Sequence, residues 1–395
     1  MSRFSTLPPL SLYVHLPWCV RKCPYCDFNS HALRDSLPER DYVAALLRDL
    51  EYDLPRVGGR TVRTIFIGGG TPSLFSAGAI ERLLSGISAR IAVAPGAEIT
   101  LEANPGTVDS NRFRGFCQAG VNRLSIGVQS FDDAKLAALG RIHDGAQARA
   151  AAAAARAAGF DNVNLDLMYG LPGQTVEQAL ADVRSAIALE PTHLSVYQLT
   201  IEPNTRFHAD PPPLADDDAL WEMQERIQAE LAQCGYAQYE VSAYARPGYV
   251  CRHNLNYWQF GDYLGIGAGA HAKLSSADTI VRLWKVKHPA NYLAHAGSAH
   301  ALGGETRVAD PELPFEFMLN ALRLTDGFEP QLFGERTGLA AANIEPRLAE
   351  AADRGLLQYA PARVCPTSLG RRFLNDLVAV FLAASVDPAP RRAQS

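Results

Sequence analysis

The sequence predicts an α/β protein: a partial (β/α)6 barrel of the TIM type, followed by a small, mainly helical module of winged-helix type. Three observations carry this expectation. Six short runs rich in Val, Ile, Leu, Thr or Tyr fill the first half of the chain, amphipathic helical stretches separate them, and the alternation stops near residue 235. Short links between strand and helix require parallel strands joined by right-handed crossovers. Six such units fall short of the eight that close a barrel, so an open barrel is expected.

The strand runs are 11–16, 62–67, 98–103, 123–128, 162–168 and 193–199. Helical periodicity places helices near 38–54, 77–91, 110–119, 145–158, 176–189 and 216–234, several ended by glycine, as at Gly120, Gly159 and Gly235. Together they make a first domain, 1–235. Residues 236–304, rich in Gly and aromatics, are expected to supply strands and loops that close the barrel mouth. From 305 to 386 the pattern reads helix, helix, hairpin, helix. Phe315, Met318, Leu319 and Leu322 lie at helical spacing in the first helix. Residues 387–395 carry two prolines and are expected to be a disordered tail.

With 47% hydrophobic and 20% charged residues, the 395-residue chain has the composition of an ordinary core-forming protein. A net charge of −5 gives no global attraction to nucleic acid or an anionic membrane. The N-terminus lacks a basic-then-apolar signal pattern, and the apolar run 377–384 falls far short of the ~20 residues that span a bilayer. A soluble, cytoplasmic protein is the expectation.

Seven cysteines include three in the run Cys19-Val-Arg-Lys-Cys23-Pro-Tyr-Cys26, directly after the first strand. An odd count without a signal sequence argues against a disulfide framework. On a loop, C-x3-C-x2-C lets three thiolates converge. Zinc would need a fourth ligand, such as His15 or His31, and normally recruits a second, distant pair that the sequence does not show. A four-iron cluster held by three thiolates leaves one iron open to a small molecule.

This loop, with Tyr25 before the third cysteine, resembles the signature of the radical S-adenosylmethionine superfamily. The resemblance implies a [4Fe–4S] cluster on Cys19, Cys23 and Cys26. It also implies S-adenosylmethionine on the fourth iron, with Tyr25 packed against the adenine. Strand two runs into Gly68-Gly69-Gly70-Thr71, at the end of a barrel strand where binding groups gather and backbone can approach a ligand. The family receives the methionine amino group there, which points to Gly69, Gly70 and Thr71. Further polar residues follow on successive strands. Glu102 suits an ammonium, Gln129 and Asp166 can accept from ribose hydroxyls, and Arg141 offers a fork for a carboxylate. With Tyr13, six residues before Cys19, they resemble the oxygen-independent coproporphyrinogen oxidase-like branch, and the resemblance implies that Tyr13 too lies at the S-adenosylmethionine site.

Two families of that branch compete. The dehydrogenase that converts coproporphyrinogen III to protoporphyrinogen IX carries a longer N-terminal arm and a fourth cysteine two residues after the third. Here Asp27-Phe28 follows Cys26 and 18 residues precede Cys19. These features resemble the radical-SAM heme chaperone (HemW) family. So does His253-Asn-Leu-Asn-Tyr257-Trp258, which that family associates with heme binding. Imidazole is a common axial ligand to heme iron and adjacent aromatics can face a porphyrin. The resemblance thus implies a protein that binds heme through His253 and delivers it to heme-requiring apo-proteins, respiratory enzymes among them. Cys251, Tyr257 and His271 are rival ligands, and a hydrogen-bonded packing role for His253 stays open.

Overall fold

The structure is a computed structural model that describes residues 3–382. The expected tail 387–395 and the last residues of the module expected to end at 386 lie outside the described residues.

Strand and helix alternate as the periodicity requires. The units are β1 (Leu10–Leu16) and α1 (Glu39–Val57), β2 (Val62–Gly69) and α2 (Ala77–Ser88), β3 (Val93–Ala103) and α3 (Ser110–Gln118). They continue with β4 (Arg123–Gln129), α4 (Asp133–Ala138) and α5 (Gly145–Ala157), then β5 (Val163–Tyr169) and α6 (Val176–Ala188), then β6 (His193–Gln198) and α7 (Asp217–Gln233). Neighbouring strands from β1 to β6 all pair in parallel. Reciprocal capping boxes, Asp144 with Gln147 and Thr175 with Gln178, start α5 and α6.

One set of alternate strand residues, including Leu12, Val14, Ile65, Ile67, Leu101, Leu124, Ile126, Leu165 and Leu167, is buried in a single core with the inner faces of the helices. The other set lines the barrel interior and is mostly polar. In register across the sheet it runs Ser11, Thr64 and Glu98, then Tyr13, Phe66, Thr100 and Arg123, then Glu102, Ser125, Asn164 and His193, then Gly127, Asp166 and Ser195.

The segment after α7 behaves differently from the expectation. β7 (Ala237–Glu240) and β8 (Ala243–Ala245) add antiparallel strands beside β6, and α8 (Arg252–Trp258) follows. β9 (Asp262–Ile266) then returns across the molecule to pair in parallel with β1. β10 (His271–Ser275), β11 (Ile280–Lys285) and β12 (Leu302–Arg307) continue outward, antiparallel. The sheet therefore has twelve strands in the order β12-β11-β10-β9-β1-β2-β3-β4-β5-β6-β8-β7. The segment extends both sheet edges, where unpaired backbone groups demand partners.

The last module contains α9 (Leu313–Ala321), α10 (Pro330–Thr337), α11 (Glu345–Asp353), the antiparallel hairpin β13 (Leu357–Ala360) and β14 (Arg363–Pro366), α12 (Ser368–Arg372) and α13 (Leu374–Ala379). Phe317, Phe333, Leu348, Val364 and Phe381 form a second core that also takes Phe4, Phe260 and Ile280. Arg3 clasps this module by an ion pair to Asp310 at 2.8 Å.

Candidate functional site

The cysteine loop leaves β1 at the C-terminal end of the strands. Trp18–Cys19 pairs with His31–Ala32 and closes the loop at its neck. Three ties hold it from outside. Asn29 Nδ2 donates to the carbonyls of Ala268 and Lys287, both at 2.9 Å. Phe207 N donates to Pro24 O at 3.0 Å, and Arg21 binds the carbonyls of Gly140 and Arg141. Cys19, Cys23 and Cys26 are free and half-buried. Burial first, then the nearby Cys26 and Cys23, push the Cys19 thiol up, against a hydrogen bond from the Thr71 side chain.

Among the described residues no group of three His, Cys, Asp or Glu side chains is arranged to hold a single metal ion. The two candidates for a fourth zinc ligand are otherwise engaged. His15 meets Tyr13 OH at 3.0 Å and Asn29 O at 2.9 Å, and His31 Nε2 meets Asn29 Oδ1 at 3.2 Å. Three free thiols around an open mouth fit an iron–sulfur cluster, whose irons take separate thiolates.

The Gly68–Gly70 turn sits against this loop. Gly69 has φ 119°, and a Cβ there would fall 2.6 Å from the His15 ring; a Cβ on Gly70 would fall 2.6 Å from Trp18 O. Only glycine fits both positions. Gly70 N and Thr71 N donate to Leu16 O and Trp18 O at 2.8 Å. Gly69 N donates to Glu102 Oε2 at 3.1 Å. Burial, and then the like charge of Asp166, raise the Glu102 carboxyl to about 7, against that single backbone bond. Asp166 accepts from Ser125 Oγ at 3.0 Å and Asn164 Nδ2 at 2.8 Å, and burial raises it too.

At the C-terminal end of β4 the backbone bulges between Gly127 and Gln129, and Gln129 takes φ 70°. The missing Cβ of Gly127 makes room for Gln129 Nε2 and the Arg141 guanidinium, which would lie 3.1 and 3.5 Å from it. Arg141 donates to Gly127 O at 2.6 Å and reaches Cys23 Sγ at 3.8 Å, while its buried Nε has no protein partner. Tyr25 leans on Phe207, ring centroids 6.4 Å apart, beside Leu139, Met168, Leu171 and Leu199. One end of the barrel thus gathers Cys19, Cys23, Cys26, Tyr25, Gly69, Gly70, Thr71, Glu102, Gln129, Arg141 and Asp166. Tyr13 lies deeper, its ring stacked on Phe66 at 6.4 Å.

His253 is not among them. It lies on α8, a helix where a loop was expected, and α8 plugs the opposite end of the barrel. His253 Nδ1 meets Thr64 Oγ1 at 2.9 Å and the ring packs 5.1 Å from Phe66. Thr64 is four residues before Gly68, about 13 Å along the strand at ~3.3 Å per residue. Glu98 caps the helix, accepting from His253 N at 3.0 Å, Arg252 N at 3.1 Å and Cys251 Sγ at 3.6 Å. Asn256 Nδ2 donates to Ser11 Oγ at 2.9 Å. Burial, then Arg123, lower His253 to about 3, and burial pushes the Cys251 thiol up to about 12. The His253 ring is enclosed at 7% exposure, so a porphyrin does not reach it while α8 stays in place. Tyr257 and Trp258 pack against Tyr263 and Arg323 and present no shared aromatic face. His271, by contrast, is exposed at the mouth end, stacked on Trp284.

The single-motif reading missed Asn29, which lies in the loop and carries no periodic signal, and Glu98, Arg123, Asn164 and His193 on the strands. A signal was available: polar residues at every second position in strands whose other face is wholly apolar mark a polar barrel interior.

The fold and this mouth define a radical S-adenosylmethionine protein. Residues 13–186 match the family model for the radical SAM superfamily, and 308–373 match the HemN C-terminal domain. The solved coproporphyrinogen III oxidase HemN from Escherichia coli, described as a radical SAM enzyme, superposes with a TM-score of 0.80 at 25% identity, covering 95% of this chain and 90% of that one. The heme chaperone HemW of Escherichia coli K12 is 53% identical over 95% of this chain and 99% of that protein. The heme chaperone HemW of Bacillus subtilis is 34% identical over 94% and 99%. The chain therefore belongs to the HemW family, in the HemN-like branch of the radical SAM superfamily.

Proposed function

We propose that this protein binds heme and delivers it to heme-requiring acceptor proteins in the cytoplasm, respiratory enzymes among them. The similarity to proteins named heme chaperones, extending over 95% of the chain, carries this reading. Among the described residues no helix is long and apolar enough to cross a membrane.

In this reading Cys19, Cys23 and Cys26 hold the [4Fe–4S] cluster and the mouth holds S-adenosylmethionine. Bound there, the pair supplies one-electron chemistry at the sulfonium. The protein's own groups do the positioning. Glu102, with no cation among the groups acting on it, receives the methionine ammonium together with carbonyls of the Gly69–Gly70 turn, whose N–H groups are already bonded. Arg141, with an unpartnered Nε, receives the carboxylate. Gln129 and Asp166 accept from the ribose, and Tyr25 flanks the adenine. Tyr13 holds the His15 ring against the Gly69 turn. His253 reaches heme iron through Nε2 only if α8 leaves the barrel floor.

The test offers heme and coproporphyrinogen III separately to anaerobically reconstituted protein with an electron donor and S-adenosylmethionine. Heme should bind and coproporphyrinogen III should be recovered unchanged. Its turnover to protoporphyrinogen IX would replace the chaperone reading with the dehydrogenase.

A further inference from the structure

Beside the cysteine loop, on the rim formed where β10 and β11 begin and end, lies a group of side chains that the cofactor site does not use. His271 and His288 are both exposed, and neither ring makes a hydrogen bond to a described residue. His288 meets the His31 ring edge-on, centroids 5.8 Å apart, and His31 is oriented by Asn29 through its Nε2. His271 stacks on Trp284, its cross-strand partner, at 6.3 Å. Phe28 stands 64% exposed two residues after Cys26. Lys22 donates to Phe28 O at 3.1 Å, and Lys287 precedes His288; both lysines are exposed. Lys287 acts electrostatically on His271 and through its backbone on His31, which ties the two halves of the rim together.

We propose that heme docks on this rim, with His288 as the axial ligand and His271 as the alternative imidazole, Phe28 and Trp284 against the porphyrin, and Lys22 and Lys287 toward the two propionates. The placement rests on the heme-chaperone reading and deepens it. Each requirement of the ligand has a named counterpart. Ferric or ferrous heme takes a neutral imidazole, the macrocycle needs exposed apolar surface, and its carboxylates need cations. A ligand on the surface is displaceable, as transfer to an acceptor requires. The other two places fail one requirement each. His253 is enclosed under α8. The groove of about 390 Å³ between α7 and the last module is lined by Trp221, Arg323, Arg371 and Arg372 but offers no imidazole, thiol or phenol to iron.

The experiment is a heme titration of the reconstituted protein, read by the Soret band, on wild type, His271→Ala/His288→Ala, Lys22→Glu/Lys287→Glu and His253→Ala. Retained iron, sulfide and melting temperature confirm that each variant folds. The double-histidine variant should lose the imidazole-type spectrum and bind heme at least tenfold more weakly, while His253→Ala keeps the wild-type spectrum. Charge reversal should weaken heme tenfold yet leave the dimethyl ester of heme, which lacks free carboxylates, unaffected. An unchanged Soret band and affinity in the double-histidine variant would overturn the rim site. A wild type that binds no heme would instead overturn the chaperone reading beneath it.

Discussion

At the floor of the barrel Glu98 accepts from two backbone N–H groups and a thiol, and Arg123 lies close enough to feel its charge. At the mouth Glu102, four residues further along β3, receives one backbone N–H and faces the like charge of Asp166. Both acids are on the inner face of one strand. The difference is that α8 and β4 bring the floor several donors and an opposite charge, whereas the chain brings Glu102 at the mouth one backbone donor and no opposite charge. Buried polar groups are paired almost everywhere in proteins, so an acid left short marks where a ligand with the complementary charge belongs. Polarity alone does not distinguish a scaffold from a site; completeness does.

The comparison can be broken most sharply at the cysteines. Replacing Cys19, Cys23 and Cys26 together by Ala should take the iron and sulfide content after anaerobic reconstitution from about four of each to near zero, with the floor intact. Retention of four irons would remove the loop from the mouth's chemistry. Glu98→Ala tests the other end. It uncaps α8, leaving buried donors unsatisfied, and removes one of the negative charges acting on buried Arg123, so stability in urea should fall by roughly 1–3 kcal/mol, while the folded variant keeps its affinity for S-adenosylmethionine.

The mouth should respond in the opposite way. Glu102→Ala and Arg141→Ala should each weaken S-adenosylmethionine by at least ~1.5 kcal/mol, roughly tenfold, with little loss of stability. Calorimetry showing unchanged affinity in both would sink that assignment.

The smallest effect is in pH, and its sign differs between the ends. Glu102 has a raised folded pKa, so the ligand-free protein gains from it below the unfolded value of 4.5 and loses that gain as pH rises toward about 7. His253 has a lowered pKa, so its contribution is present above 6.5 and is lost as pH falls toward about 3. Melting temperatures against pH should therefore lose their decline between pH 4.5 and about 7 in Glu102→Gln, and part of their decline below pH 6.5 in His253→Gln. Identical profiles in both variants would erase the contrast.

Much of this was legible before any coordinates. The six βα units follow from period-two and period-3.6 patterns, and the Cys, Gly and Glu102–Asp166 positions follow from their place at strand ends. Short or glycine-flanked elements were not legible. α4 spans six residues, too few to display a helical period, and β9 contains Gly265 and is flanked by Gly261 and Gly267, in a stretch read as strands and loops closing the mouth. The end of the barrel that receives α8 is set by Ser11, Thr64 and Glu98, on three strands 155 or more residues before the motif residues they hold. Spacing within HNxxYW carries no trace of them.

The ties of Asn29 have a consequence for how the protein is made. Its two acceptors, Ala268 O and Lys287 O, lie 239 and 258 residues further along the chain, and β1 gains its partner β9 over a similar interval. At synthesis rates of about 5–20 residues per second, the cysteine loop waits roughly 13–50 s after it is made before the strands that brace it exist. The three thiols spend that time on a nascent chain without their brace, exposed to oxidants and stray metals. The brace that fixes the loop is thus completed only by the last third of the polypeptide.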